Sequence, residues 1–150
     1  MTNQHITEVL NGTLQAVTNV IPVPVTANRP TLVTAPIMQP EMGVLIGITG
    51  NVRGRLIIEG TADVFGQIGE KMYGMALEGA MLESFTGELG NMIAGNLSTN
   101  VSQKGIDIDI TPPTVMVGQT KLFGFSQALQ IPVTVEGVGD CQVILMLEEQ

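Results

Sequence analysis

The chain has 150 residues, 44% of them hydrophobic and 13% charged, with a net charge of -8. That balance fits one compact domain spanning residues 1–150 and excludes a disordered chain. Only six Lys and Arg residues are present and they form no cluster, which excludes the basic surface that nucleic-acid phosphates require.

The N-terminus Met1-Thr2-Asn3-Gln4-His5 lacks the basic and apolar regions of a signal peptide, and no apolar stretch is long enough to span a bilayer, so a cytoplasmic location without membrane attachment is expected. From about residue 4 to 20, Ile6, Val9, Leu10, Leu14 and Val17 recur at helical spacing behind Thr2 and Asn3, which are possible caps. Pro22, Pro24, Pro30, Pro36 and Pro40 then stop helix propagation, and the residues near 31–37 suit an edge strand. Met42 to Thr49 and Arg53 to Glu59 read as strands joined at Gly50-Asn51, a hairpin turn. Thr61 caps a second helix whose apolar stripe is Phe65, Ile68, Met72 and Met75. Gly74 and Gly79 mark the gap before a third helix, from about 81 to 99.

Beyond Lys104-Gly105 the alternation Ile106-Asp107-Ile108-Asp109-Ile110 predicts a half-buried strand, stopped by Pro112 and Pro113. Phe123 to Val135 and Cys141 to Glu148 flank Gly137-Val138-Gly139-Asp140 and predict a closing hairpin. Helix, strands, two helices and strands in that order is a segregated pattern. It predicts an α+β fold with amphipathic helices packed on a mainly antiparallel sheet.

The common catalytic signatures are missing. Gly47, Gly50 and Gly54 are not followed by Gly-Lys-Ser/Thr, so a hairpin is the better use of Gly50-Asn51 than a phosphate loop. With His5 and Cys141 the sole residues of their types, neither a nucleophilic triad nor a Cys/His zinc site is expected. Asp107 and Asp109 share a strand face that reads as solvated before it reads as a cation site. The nine methionines read as adaptable core filling.

The third helix carries the informative stretch, from Ser84 to Asn96. At ~100° per residue, Ser84, Glu88, Asn91 and Gly95 fall within roughly 60° of one another, beside a broad apolar face of Phe85, Leu89, Met92 and Ile93. Gly87, Gly90 and Gly95 each cost on the order of 1 kcal/mol against alanine in a helix, so a partner surface or a second helix is expected to approach that backbone. Ser84 also reads as a helix N-cap.

Glu88-x-x-Asn91 alone is weak, and Glu8 and Asn11 repeat it in the first helix. Ser84, Glu88 and Asn91, followed by Met92-Ile93-Ala94-Gly95-Asn96 and then by Thr111-Pro112-Pro113-Thr114-Val115, resemble the CheC/CheX/FliY family of chemotaxis phosphatases. That family's pattern is Asp or Ser, three residues, Glu, two residues, Asn, and a proline some twenty residues on. The stretch from Leu45 to Gly50 with Gly54 resembles the family's central hairpin, and Pro112 to Gly118 its post-helix strand and turn. One complete motif in 150 residues resembles the CheX type, which has one active helix. Two departures remain. The proline lies a residue or two short of the pattern, and Gln4 stands where Asp or Ser would precede Glu8 and Asn11, which leaves that pair as a vestigial second site at most.

The resemblance implies helices on a β-sheet and hydrolysis of the aspartyl phosphate of a CheY-type response regulator. It implies Glu88 and Asn91 as the catalytic residues, Ser84 and Gly95 as partner contacts, no cofactor or metal on this chain, Mg²⁺ held by the phosphorylated partner, and a homodimer formed through sheet edges, for which the charge-poor strands near 123–147 are available. Two other readings stay open: a non-catalytic adaptor that binds a response regulator or flagellar switch component, and a structural dimerisation module.

Overall fold

The computed structural model describes residues 3–39, 41–125 and 127–148. Helix α1 (Asn3–Val20) opens the chain, burying Val9, Ala16 and Val17. Short strands β1 (Val25–Ala27), β2 (Thr31–Val33) and β3 (Ile37–Gln39) follow between the prolines, where a single edge strand was expected. Pro36 separates β2 from β3, and the two join different sheets. Strands β4 (Met42–Gly50) and β5 (Arg53–Gly60) form the expected hairpin, with Gly50 at a left-handed φ of 104°. The Asn51 backbone N–H donates to the Asp107 carbonyl, and its side-chain Oδ1 accepts from the Asp107 N–H at 2.8 Å.

Helix α2 (Ala62–Tyr73) begins after Thr61 as expected and ends at Gly74, which leaves Met75, expected in its apolar stripe, beyond the helix. Thr61 accepts from the Val64 N–H at 3.1 Å, and Gly74, at φ 74°, donates its N–H to the Glu70 carbonyl. Helix α3 (Gly79–Ser102) starts two residues before the expected position because Glu78 takes the extended N-cap conformation without a side-chain bond. The helix places Ser84 well inside its span, so the capping reading of Ser84 is overturned. Strands β6 (Ile108–Ile110), β7 (Thr114–Val117), β8 (Thr120–Leu122), β9 (Ala128–Val135) and β10 (Gly139–Glu148) complete the chain. The expected strand start at Phe123 fails: Gly124 adopts φ 87°, pairing resumes at Ala128, and Ser126 lies outside the described residues.

The main sheet runs β1-β9-β10-β5-β4-β6, with β2 also on β9, β7 also on β4, and every pairing antiparallel. This corrects the dimer-edge assignment. β9 and β10 are hydrogen-bonded on both sides, and the open edges belong to β1 with β2 and to β6 with β7. Side chains alternate between the two faces of the sheet, and in the long strands β4, β5, β9 and β10 both faces are largely covered. Val44, Ile46, Ile48, Leu56, Ile58, Val133, Val143 and Leu145 meet the helices. On the other face Ile57, Ala128, Ile144 and Met146 are capped by Ile37 and Leu122 of the β3-β8 ribbon. Each fully buried Leu, Ile or Phe contributes roughly 1.5–3 kcal/mol, so the two faces together hold the layers in place.

Glu59, 4% exposed, stands directly across from Gln142 within the sheet. Its Oε2 and the Gln142 Oε1 are buried without a hydrogen-bond partner among the described residues. Burial pushes the Glu59 carboxyl from 4.5 up to about 7. Between those values the folded chain holds a proton that the unfolded chain has released, so this stability is present at low pH and is lost as pH rises through about 7. Glu59→Gln is expected to flatten that dependence and to stabilise the chain above pH 7, by up to about 3 kcal/mol. Urea unfolding of both proteins at acidic and alkaline pH measures it.

Candidate functional site

The central feature is the way α3 lies on the sheet. Leu82, Phe85, Leu89, Ile93, Leu97 and Val101 are buried along it, and two of its three motif glycines are consumed by that contact. A Cβ on Gly90 would stand 2.6 Å from Val44 Cγ1 of β4, and one on Gly87 would stand 3.1 Å from Val115 Cγ2 of β7. The close approach expected at these glycines is therefore made by the chain's own sheet. Just before Gly87 the buried Thr86 donates its hydroxyl to the Leu82 carbonyl at 2.9 Å.

The segment after β6 supports the same turn. Thr111 Oγ1 accepts from the Gly47 N–H at 2.8 Å, and the Thr111 N–H donates to the Gly47 carbonyl at 3.0 Å. Pro113 Cγ then lies 3.9 Å from the position of a Gly87 Cβ, next to Glu88 in sequence. The proline of the motif is thus a prop for the helix turn that carries the acid. Val44 and Val115 share that work, although the sequence does not reveal that they face these glycines.

With this face pinned, the opposite stripe points outward. Ser84, Glu88 and Asn91 are exposed, and among the described residues no side-chain hydrogen bond engages them. Gly95 is half-buried, with nothing within 4 Å of its missing Cβ. The structure brings all four expected site residues onto one stripe. They present a carboxylate, a carboxamide with both donor and acceptor, a hydroxyl and a flat backbone patch.

The first-helix pair stands apart. α1 packs on the C-terminal half of α3, where Asn100 Nδ2 donates to the Gly12 carbonyl at 3.0 Å and Asn19 Nδ2 donates to Asn96 Oδ1 at 3.1 Å. Glu8 is half-buried and Asn11 exposed on that helix. Cys141 is buried, and burial with the nearby Asp140 pushes its thiol up to about 12, which removes it as a nucleophile. Asp107 and Asp109 are both exposed, and no cluster of three His, Cys, Asp or Glu close enough to hold a metal exists among the described residues. No helix among the described residues is long and apolar enough to cross a membrane. The reading of methionine as core filler holds for Met42 and Met146 but fails for Met38, Met75 and Met81, which are exposed.

Three helices on an antiparallel sheet give this chain a CheC/CheX-like fold. The family model described as chemotaxis phosphatase CheX matches residues 42–134, and the chain belongs to that family. It is 29% identical over 135 residues to the CheY-P phosphatase CheX of Thermotoga maritima, covering 87% of this chain and 86% of that one. The crystal structure of CheX from Desulfovibrio desulfuricans superposes with a TM-score of 0.79 at 19% identity, over 95% of this chain and 97% of that one. The CheX chain in the CheX-CheY-BeF3-Mg²⁺ complex of Borrelia burgdorferi superposes with a TM-score of 0.77 at 23% identity, over 96% and 97%.

The two glycine environments predict opposite effects. Gly90→Ala is expected to destabilise the fold by about 1–3 kcal/mol, because Val44 is stiff and cannot retreat. Gly95→Ala is expected to stabilise it by about 0.5–1 kcal/mol, as helix propensity dictates where space is open. Thermal and urea unfolding of the two variants checks both signs.

Proposed function

We propose that this chain hydrolyses the aspartyl phosphate of a CheY-type receiver, acting as a single unit over residues 1–150 in the cytoplasm and ending the signal that the phosphate carries. The observation that carries the reading is the pairing of Glu88 with Asn91, one helical turn apart, exposed and unengaged on a helix whose other face is immobilised. The Thermotoga maritima relative is a CheY-P phosphatase, and the Borrelia burgdorferi relative forms a complex with CheY, BeF3 and Mg²⁺, which supports the same partner class here.

An acyl phosphate is already activated, so the chemistry asked of this chain is small. Water attacks phosphorus, the bond from phosphorus to the aspartyl oxygen breaks, and a carboxylate and inorganic phosphate leave. Mg²⁺ bound by the receiver would screen the phosphoryl oxygens. Asn91 holds the attacking water in line, its carbonyl oxygen accepting a hydrogen bond from the water O–H while its amide N–H₂ is free to donate. Glu88 pairs with the receiver's active-site lysine and sets the register that places Asn91. That ion pair strengthens as the interface excludes water. Ser84 and Gly95 flank the pair as contact points, and Gly95 leaves room for the receiver backbone beside Asn91.

Dimerisation through a sheet edge, if this chain shares the arrangement implied by its resemblance, falls to β1 with β2 or to β6 with β7.

The test is phosphate release from a phosphorylated CheY-type receiver with Mg²⁺ in excess. Asn91→Ala is expected to lose about 100-fold or more in turnover while retaining receiver binding, because it removes water placement and leaves the dock. Glu88→Ala is expected to weaken binding and turnover together, by roughly 30-fold or more in affinity. A non-catalytic adaptor would bind the receiver and leave its phosphate lifetime unchanged, and a structural module would do neither.

A further inference from the structure

The catalytic stripe does not end at Ser84. Continued one turn toward the N-terminus it reaches Met81, and at ~100° per residue Met81, Ser84, Glu88, Asn91 and Gly95 lie within about 80° of one another. Here α3 meets the end of α2 and the loop after it, and between them opens a groove of about 590 Å³ that Ser84 and Glu88 also line. Its apolar surface comes from Tyr73, Met75, Leu77, Met81 and Phe85.

Phe85 forms a buried wall, and Tyr73 stands edge-on to it with ring centroids 5.8 Å apart at 87°. Tyr73 is 55% exposed, Met75 54% and Met81 56%. Seven large apolar side chains are exposed among the described residues, and three of them, Tyr73, Met75 and Met81, gather around this one groove, which marks a surface that is covered when the protein acts.

Resting on the phosphatase reading above, we infer that this groove is the specificity anchor for the receiver and takes an apolar side chain that flanks the receiver's phosphorylated aspartate. The occupant follows from continuity with the site. Met81 is seven residues from Glu88, about 10 Å along the helix axis. A standard interface covers ~800 Å² per partner, so a receiver centred on Glu88 and Asn91 reaches over the groove. Two flexible thioethers at the mouth suit a pocket that must adapt to a docking side chain. Catalysis and recognition are then divided along one helix, with the amide and carboxylate working on the phosphoryl group and the methionine end selecting which receiver arrives.

The experiment is a titration of the full-length protein with a CheY-type receiver carrying BeF3 and Mg²⁺ as the phosphoryl mimic, alongside turnover of the phosphorylated receiver. Met75→Ala with Met81→Ala is expected to raise Kd and KM about tenfold or more while kcat stays within about twofold. Met81→Leu, which keeps the apolar volume, is expected to stay near wild type. Both side chains are exposed, so the melting temperature is expected to hold. An unchanged Kd in the double variant overturns the groove, and if the wild type still hydrolyses, the phosphatase reading stands without it. A wild type that binds but does not hydrolyse overturns the phosphatase reading, while a raised Kd in the double variant still supports the groove. A double variant that alters self-association in ultracentrifugation and leaves receiver affinity unchanged overturns the proposal in favour of a second copy of this chain.

Discussion

The contact of α3 with β4 and β7 through Gly87 and Gly90 is the constraint on which the rest of the molecule depends. A 24-residue helix that buries so wide a face has little circumference left, and what remains is held by packing and not by its own side chains. Each glycine lowers helix propensity by about 1 kcal/mol, and this cost is offset because their absent side chains let the helix sit down on Val44 and Val115. Thr111 and Pro113 close the same contact from the sheet edge. The turn bearing Glu88 is thereby fixed from below by two strands and a loop. The role proposed for Asn91, holding one water in line, would need that fixity, since displacement by about 1 Å costs on the order of 100-fold in rate.

The chemistry explains why so few reactive residues are needed. In the proposed reaction the bond to be broken is activated on the partner, so the chain would supply orientation and charge pairing and would need no nucleophile of its own. Cys141 is buried with its thiol pushed up to about 12, and the acidic pair on β6 and its approach is exposed to solvent. The helix stripe is graded instead. An apolar end with Met81 runs into the polar centre at Glu88 and Asn91 and then into the open backbone at Gly95. Under the proposed function, a surface arranged in that order would recognise, align and react without rearranging.

Local chemistry was legible wherever one residue type has a single favourable use. Gly50-Asn51 turned the β4-β5 hairpin, Thr61 capped α2, Gly74 ended it, and Pro112 and Pro113 stopped β6. The apolar periods gave the helices and the long strands. What failed depended on partners distant in sequence. Phe123 to Phe125 begin no pairing although a strand was expected from Phe123, β2 and β3 separate into different sheets, and β9 and β10, whose few charges suggested a face free to pair with a second copy, lie inside the sheet. The start of α3 shifted because Glu78 holds the cap position by backbone conformation alone, without the side-chain bond that a sequence can advertise.

The sequence by itself determined the segregated α+β order, the outward stripe of Ser84, Glu88, Asn91 and Gly95, and the resemblance to the chemotaxis phosphatases. Those follow from helical periodicity and residue type, which are properties of neighbours along the chain. Tertiary structure alone decided what each glycine of α3 is for. Gly87 and Gly90 are filled by valines from strands more than twenty residues away, while Gly95, identical in kind, faces open space. It also decided that Met75 and Met81 stay in water while Met42 and Met146 are buried, because burial is set by what the fold places opposite a side chain and not by the side chain's own chemistry.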